Sequence, residues 1–205
     1  MRLLAENLSC ERGGRVVFRG LGFAVAAGEA VEVVGPNGAG KSSLLRLVAG
    51  LVPAAEGTLV LEGGDGEATV AEQCHYCGHQ DAFKPALTVA ENLAFWTAFL
   101  GGRPEAIPPS LERLGLGHLA DLPAGYLSAG QRRRLALARL LTVQRPVWLL
   151  DEPTAALDAA SQSVLTGIMA AHVEAGGLLM AATHQPLGIP ARALSLTPAA
   201  WDDAA

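Results

Sequence analysis

The 205-residue sequence predicts an α/β fold built on a mostly parallel sheet. From Pro146 onward, apolar strand segments alternate with helical ones, the order that produces parallel strands covered by helices on both faces. Before residue 80, β-rich segments separated by glycine-containing turns dominate. Between about 81 and 145 the pattern turns helical and is broken by prolines, which marks an inserted lobe. The expected organisation is a single domain, 1–205, with a core of about 1–80 and 146–205 and a helical subdomain of about 81–145.

Each element has a local reason. Arg2 to Leu8, Leu21 to Ala26, Ala30 to Val34 and Thr58 to Leu61 are short apolar runs bounded by Gly13-Gly14, Ala27-Gly28-Glu29 and Gly63-Gly64-Asp65-Gly66. Gly40 to Ala49 is helical, with Leu44, Leu45 and Val48 at helical spacing. Thr88 to Leu100 is an amphipathic helix in which Thr88 is the N-cap and Glu91 completes a capping box. Pro104, Pro108 and Pro109 then divide the chain into short pieces. Ser128 to Leu141 is a long helix. Val147 to Leu150 is a buried strand, Ala159 to Val173 a helix, Leu178 to Ala182 a strand and Ala193 to Leu196 a last short strand.

Composition narrows the function. Half the residues are hydrophobic, enough for a sizeable core. The formal charge of −5 argues against nucleic acid as a partner, because that affinity normally comes from a basic surface. No run of 18 apolar residues occurs, and Glu6 interrupts the start too early for a signal peptide. Three cysteines, two of them close together, fit a reducing compartment better than a disulfide scaffold. A cytoplasmic protein is expected.

Gly35-Pro36-Asn37-Gly38-Ala39-Gly40-Lys41-Ser42 fits the pattern G-x-x-x-x-G-K-[ST], between an apolar strand and a helix. The glycines let the backbone curl so that N–H groups converge on phosphate oxygens, and the following helix adds the positive end of its dipole. Lys41, one of only two lysines, can reach the β- and γ-phosphates. Ser42 can offer its hydroxyl to Mg²⁺, and Ser43 continues the same turn.

A second apolar strand, Val147 to Leu150, ends in Asp151-Glu152. Acids at the carboxyl end of a parallel strand lie where open α/β sheets bind ligands. Asp151 can hold Mg²⁺, and Glu152 can polarise a water that attacks the γ-phosphate.

Leu127-Ser128-Ala129-Gly130-Gln131 resembles the LSGGQ signature of the ATP-binding-cassette ATPases, with Ala129 in place of one glycine. Ser128 at a helix start is equally an ordinary N-cap, and both readings can hold. The resemblance covers nearly the whole chain. It implies a RecA-like P-loop NTPase core with an N-terminal antiparallel β part and an inserted helical subdomain. It implies ATP and Mg²⁺ as cofactors, and a homodimer that closes head to tail on ATP. Gln80 resembles the family's Q-loop glutamine, near Mg²⁺ and the attacking water. Leu157-Asp158 resembles the D-loop that crosses the dimer, and His184 the switch histidine that contacts the γ-phosphate. Ser128, Gly130 and Asp158 would then reach the nucleotide of the opposite subunit.

Cys10-Glu11-Arg12-Gly13-Gly14-Arg15, Tyr76-Cys77-Gly78-His79-Gln80, Glu91 to Trp96 and Thr183-His184-Gln185 are most similar to the ATP-binding subunit of the cytochrome c maturation haem exporter family. That likeness implies integral membrane permease partners and other cytochrome c maturation membrane proteins. It implies a peripheral location on the cytoplasmic face of the inner membrane, and a role in haem export or in release of a haem-loaded chaperone. Many cassettes stack adenine on an aromatic residue where this chain has Arg12; a guanidinium can also stack on a flat ring. Phe18 is read as core.

Three further features carry blander readings. In Cys74-His75-Tyr76-Cys77-Gly78-His79, Gly78 occupies the histidine place of a c-type haem motif, and strand alternation turns Cys74 away from Cys77. Two buried thiols acting as small hydrophobes account for the segment. Arg132 to Arg134 are expected to be solvated or paired with neighbours. Phe83, Phe95, Trp96 and Phe99 are expected to divide between a small lobe core and exposed anchors for a membrane subunit, the anchors being Phe83 and one of Phe95, Trp96 or Phe99. The competing functions are the ATPase subunit of a different transporter, and a soluble cassette protein acting on nucleic acid or ribosomes, which would call for paired cassettes or basic tracts.

Overall fold

The structure is a computed structural model and describes residues 1–197; the end of the expected domain, 198–205, lies outside the described residues. The chain forms two compact units. The first contains residues 1–76, 146–152 and the stretch from 169 onward; the second contains 77–145 and 153–168. The sequence-based lobe of about 81–145 omits 153–168, because nothing local in that stretch announces which partners it joins.

In the first unit an antiparallel sheet has the order β2-β1-β4, with β1 Arg2–Arg12, β2 Arg15–Ala26 and β4 Glu56–Glu62. β1 and β2 are longer than their apolar runs, since Gly13-Gly14 turns the chain so that Glu11 and Arg12 pair with Val16 and Arg15. The register shifts around Asn7, which has φ +52°, and Gly57 lies so close to the Asn7 carbonyl that no side chain fits there.

A second sheet has the order β5-β6-β7-β3-β8, with β3 Ala30–Val34, β5 Cys74–Cys77, β6 Val147–Asp151, β7 Leu178–Ala182 and β8 Arg192–Ser195. β3 runs parallel to both β7 and β8, and β6 parallel to β7. Every residue of β6 and β7 is buried, as expected of strands covered on both faces. Helix α1, Lys41–Val48, packs Leu44, Leu45 and Val48 into the core with Val31, Val33, Leu149 and Met180. Each such side chain contributes about 1.5–3 kcal/mol by leaving water. Phe18 belongs to this core, at 3% exposure.

The second unit packs α2 (Val89–Phe99), α3 (Ile107–Arg113) and α4 (Ala129–Thr142) on one another around Leu93, Leu111, Leu116, Leu127 and Leu135. Thr88 caps α2 through the expected capping box with Glu91. Pro108 and Pro109 open α3, because in the first helical turn the missing N–H leaves no bond unmade. Helix α5, Ala159–Glu174, starts in this unit and finishes in the first. Among the described residues no helix is long and apolar enough to cross a membrane.

The division of the aromatics differs from expectation. Leucines fill the core of the second unit, while Phe95 and Phe99 stand 47% and 72% exposed, their rings stacked 6.4 Å apart. Phe83 is half-buried, with the Arg132 guanidinium 5.9 Å from its ring centroid. Trp96 is half-buried, its ring covered by Arg139 at 4.5 Å. Cys74 is buried in the core of the first unit, and Cys77 is buried in the second against the Ala136 carbonyl.

Candidate functional site

In the first unit, β3 ends at Val34 and the chain turns through Gly35 to Gly40 into α1. Gly35, Gly38 and Gly40 have φ of +152°, +83° and +96°. Gly40 also needs space: a Cβ there would stand 2.5 Å from Val17 Cγ1 and 3.2 Å from Phe18 Cδ1, so β2 supports the loop from behind. Pro36, Asn37 and Gly38 are exposed, and Ala39 is buried beneath them.

The start of α1 is left open. Its N-cap, Gly40, offers no side-chain cap, and the first turn carries no acid. With neither a capping side chain nor an acid within its own first turn, the positive end of this helix suits a phosphate. Lys41 is 8% exposed and its ammonium donates to the carbonyls of Gly35 and Pro36 at 2.8 and 3.1 Å. The cation is thus held folded over the loop.

The Ser42 hydroxyl donates to Asp151 Oδ1 at 2.9 Å, joining the start of α1 to the end of β6. Asp151 is 3% exposed. A hydroxyl and a carboxylate side by side are the hard oxygen donors that Mg²⁺ takes in phosphate sites, so these residues fit that ion. Glu152 follows with φ +48°, and its N–H donates to the Ala182 carbonyl at 2.8 Å. A left-handed conformation at a non-glycine residue costs about 1–2 kcal/mol and is retained where the surroundings fix it. His184 Nε2 lies 3.6 Å from Glu152 Oε1. Buried Thr183 anchors that histidine's turn, accepting from Gln185 N–H at 3.0 Å and donating to the Gln185 carbonyl at 2.8 Å.

Sequence reasoning missed Arg46. It lies one helical turn after Ser42, and its Nε donates to the Tyr76 hydroxyl at 3.2 Å. That bond, aided by the field of Asp151, holds the guanidinium above its ordinary pKa. The i, i+4 spacing from Ser42 was the available signal.

The second unit carries the remaining candidates. Ser128 is the N-cap of α4; its hydroxyl accepts from Gln131 N–H at 3.3 Å, and Gln131 Oε1 accepts from Ser128 N–H at 2.8 Å. A Cβ on Gly130 would stand 2.9 Å from the Ala156 carbonyl oxygen. Asp158 precedes α5 and accepts from Ser161 N–H at 2.8 Å. Bonds from Ser161 hold its carboxyl below the ordinary range, and the charge of Arg134 adds to this. Gln80 is exposed beyond the end of β5. Arg12 is exposed at the tip of the β1–β2 hairpin in the first unit. The structure therefore gathers Lys41, Ser42 and Asp151 into one cluster, and pairs Glu152 with His184. Ser128, Gly130, Asp158 and Gln80 belong to the other unit.

A family model described as "ABC transporter" matches residues 18–155. The chain is 64% identical over 200 residues to the "Cytochrome c biogenesis ATP-binding export protein CcmA" of Rhodopseudomonas palustris strain BisB18, covering 98% of this chain and 100% of that protein. It is 60% identical over 200 residues to the protein of the same name from Nitrobacter winogradskyi, with the same coverage. Among solved structures, a putative ABC transporter ATP-binding protein from Pyrococcus furiosus superposes with a TM-score of 0.81 at 22% identity, covering 96% of this chain and 98% of that one. An ATP-binding subunit of an ABC transporter superposes with a TM-score of 0.80 at 24% identity, covering 90% of this chain and 80% of that chain. These two likenesses concern the fold.

Proposed function

Because the chain belongs to the ATP-binding family of the ABC transporters, and within it to the cytochrome c biogenesis ATP-binding export proteins, we propose that it is the ATP-hydrolysing subunit of a haem-handling export complex. The observation that carries the reading is the open N-terminus of α1 beside the Ser42–Asp151 pair, a phosphate seat next to a hard-oxygen donor set.

ATP binds with its phosphates on the N–H groups of Gly35 to Ser43. Lys41 turns from the carbonyls of Gly35 and Pro36 to the β- and γ-phosphates. Ser42 and Asp151 would hold Mg²⁺, which when bound supplies neutralising charge to those phosphates. Glu152 orients and polarises the attacking water, and His184 senses the γ-phosphate beside it. Gln80 takes the Q-loop role that the family resemblance implies. Arg12 lies against the base.

Two copies close head to tail, each offering Ser128, Gly130 and Asp158 to the nucleotide of the other. ATP favours closure because it touches both copies only in the closed state. The membrane partner is an integral permease subunit, with other cytochrome c maturation membrane proteins, at the cytoplasmic face of the inner membrane. Hydrolysis resets that assembly, exporting haem or releasing a haem-loaded chaperone. Affinity capture of the full chain from membranes, with and without ATP, tests this. The expected result is recovery of a polytopic subunit and haem; recovery of an unrelated permease without haem would assign the chain to another transporter.

A further inference from the structure

Arg133 is the middle member of an arginine triplet that the sequence reads as solvated or paired with neighbours, and it is 3% exposed. It extends from α4, five residues after Ser128. Its Nη1 donates to the Gly78 carbonyl at 2.7 Å and lies 3.4 Å from Asp81 Oδ1. Its Nε donates to the Pro153 carbonyl at 3.4 Å. Gly78 and Asp81 flank Gln80, and Pro153 is the residue after Glu152. Its neighbours behave differently. Arg132 bonds the Leu127 carbonyl at the start of its own helix, and Arg134 bonds the Leu114 carbonyl.

The segment around Gln80 is held from a second direction. Ala82 has φ +49°, and Trp96 Nε1 donates to its carbonyl at 3.0 Å. Asn92, 3% exposed, donates to the carbonyls of Lys84, Leu87 and Thr88 and accepts from Lys84 N–H. Gln80 itself stays exposed inside a backbone that is fixed on either side.

We propose that Arg133 is a positioning residue: a single buried guanidinium on the signature helix sets, together, the backbone that presents Gln80 and the turn that leaves Glu152. The planar fork suits this, because its donors diverge in fixed directions toward two carbonyls and a carboxylate, which a lysine cannot match. A displacement of α4 is then felt at both segments at once. The proposal rests on the ATPase reading for its consequence, but its geometry is testable without catalysis.

The test uses the full chain carrying Arg133→Gln, with Arg133→Lys as the variant that keeps the charge. Amide hydrogen exchange is measured without nucleotide, and kcat and KM for ATP are measured in the membrane-associated complex. Arg133→Gln is expected to speed exchange roughly tenfold or more in both 78–82 and 153–157 while the strands keep their protection. It is expected to lower kcat roughly tenfold with KM for ATP within about threefold of the unaltered protein. Arg133→Lys is expected to fall between the two and remains informative if Arg133→Gln does not fold. Faster exchange in only one segment, or in neither, would overturn the proposal, as would an unchanged kcat or a rise in KM matching the fall in kcat. Failure of the unaltered complex to hydrolyse ATP would instead remove the functional reading and leave the exchange result to stand alone.

Discussion

The carbonyl oxygen of Ala156 lies 2.9 Å from where a Cβ on Gly130 would stand. Ala156 itself has φ +62°, so the carbonyl is set by a strained turn and has little freedom to retreat. The relation explains why the second small residue of the signature is glycine while the first, exposed Ala129, carries a methyl group.

Gly130→Ala is therefore expected to displace the turn at Ala156 and destabilise the chain by about 1–3 kcal/mol. ATPase activity should fall roughly tenfold or more with nucleotide binding preserved, because Lys41 and Ser42 are untouched. Ala129→Gly, the control, should leave activity near normal and cost at most about 1 kcal/mol of helix stability. Thermal unfolding and steady-state kinetics on both variants check this.

Glu152→Gln keeps the shape and the bond from its backbone N–H to Ala182 but removes the carboxylate. The variant should bind ATP, accumulate as a dimer in size-exclusion chromatography with ATP, and turn over at least about a hundredfold more slowly. Normal turnover would take the water-activating role away from Glu152.

Lys41→Ala removes the cation that is folded over the phosphate loop. Charge-assisted bonds of this kind are worth about 1.5–3 kcal/mol, so ATP affinity should drop between roughly tenfold and a hundredfold in a titration. Asp151→Asn should act differently, raising the Mg²⁺ concentration needed for half-maximal hydrolysis more than it weakens metal-free nucleotide binding.

Phe95 and Phe99 form an exposed stacked pair on α2, flanked by Lys84 at 5.1 Å from the Phe95 ring. If this face meets the membrane subunit, Phe99→Asp should reduce membrane recovery of the chain while ATP binding and thermal stability stay unchanged. Joint loss of all three would indicate misfolding.

His172 stacks on buried Trp148 with ring centroids 3.8 Å apart, and its Nε2 faces the Leu178 carbonyl at 3.2 Å. Burial lowers its pKa below the ordinary 6.5, against the opposing pull of the Leu178 and Pro146 carbonyls. The unfolded chain then binds the proton more readily, so stability from this residue is complete above about pH 6.5 and declines as the pH falls below it. His172→Gln should flatten the fall in Tm between roughly pH 7 and pH 5. An unchanged slope would show that other groups carry it.

What could be read in advance was what depends on neighbours in sequence. The capping box at Thr88 and the N-cap at Ser128 are local features, and α2 and α4 begin where they place them. The bounds of β3 and β7 coincide with their apolar runs. The motif from Gly35 to Ser42 is equally local, and Gly35, Gly38 and Gly40 hold positive φ. What escaped depends on distant partners. The Gly78 and Pro153 carbonyls that bury Arg133 lie 55 and 20 residues away, and no periodicity on α4 distinguishes it from Arg132. The shift of register at Asn7 is set by the close approach of Gly57, on another strand. Two aromatics of α2 are exposed where one was expected, and Phe83 is half-buried, because hydrophobicity alone does not separate a core from an exposed face and leucines fill the interior.

The polypeptide passes between its two units at 76/77, 145/146, 152/153 and 168/169. An engineer grafting this lobe onto a related cassette must therefore transplant two pieces, 77–145 and 153–168, as a matched set. A chimera that exchanges only the longer piece would confront the donor's Arg133 with a foreign carbonyl at 153, and its Gly130 with a foreign turn at 156. Hybrids built on the apparent single insertion would inherit that mismatch in every copy.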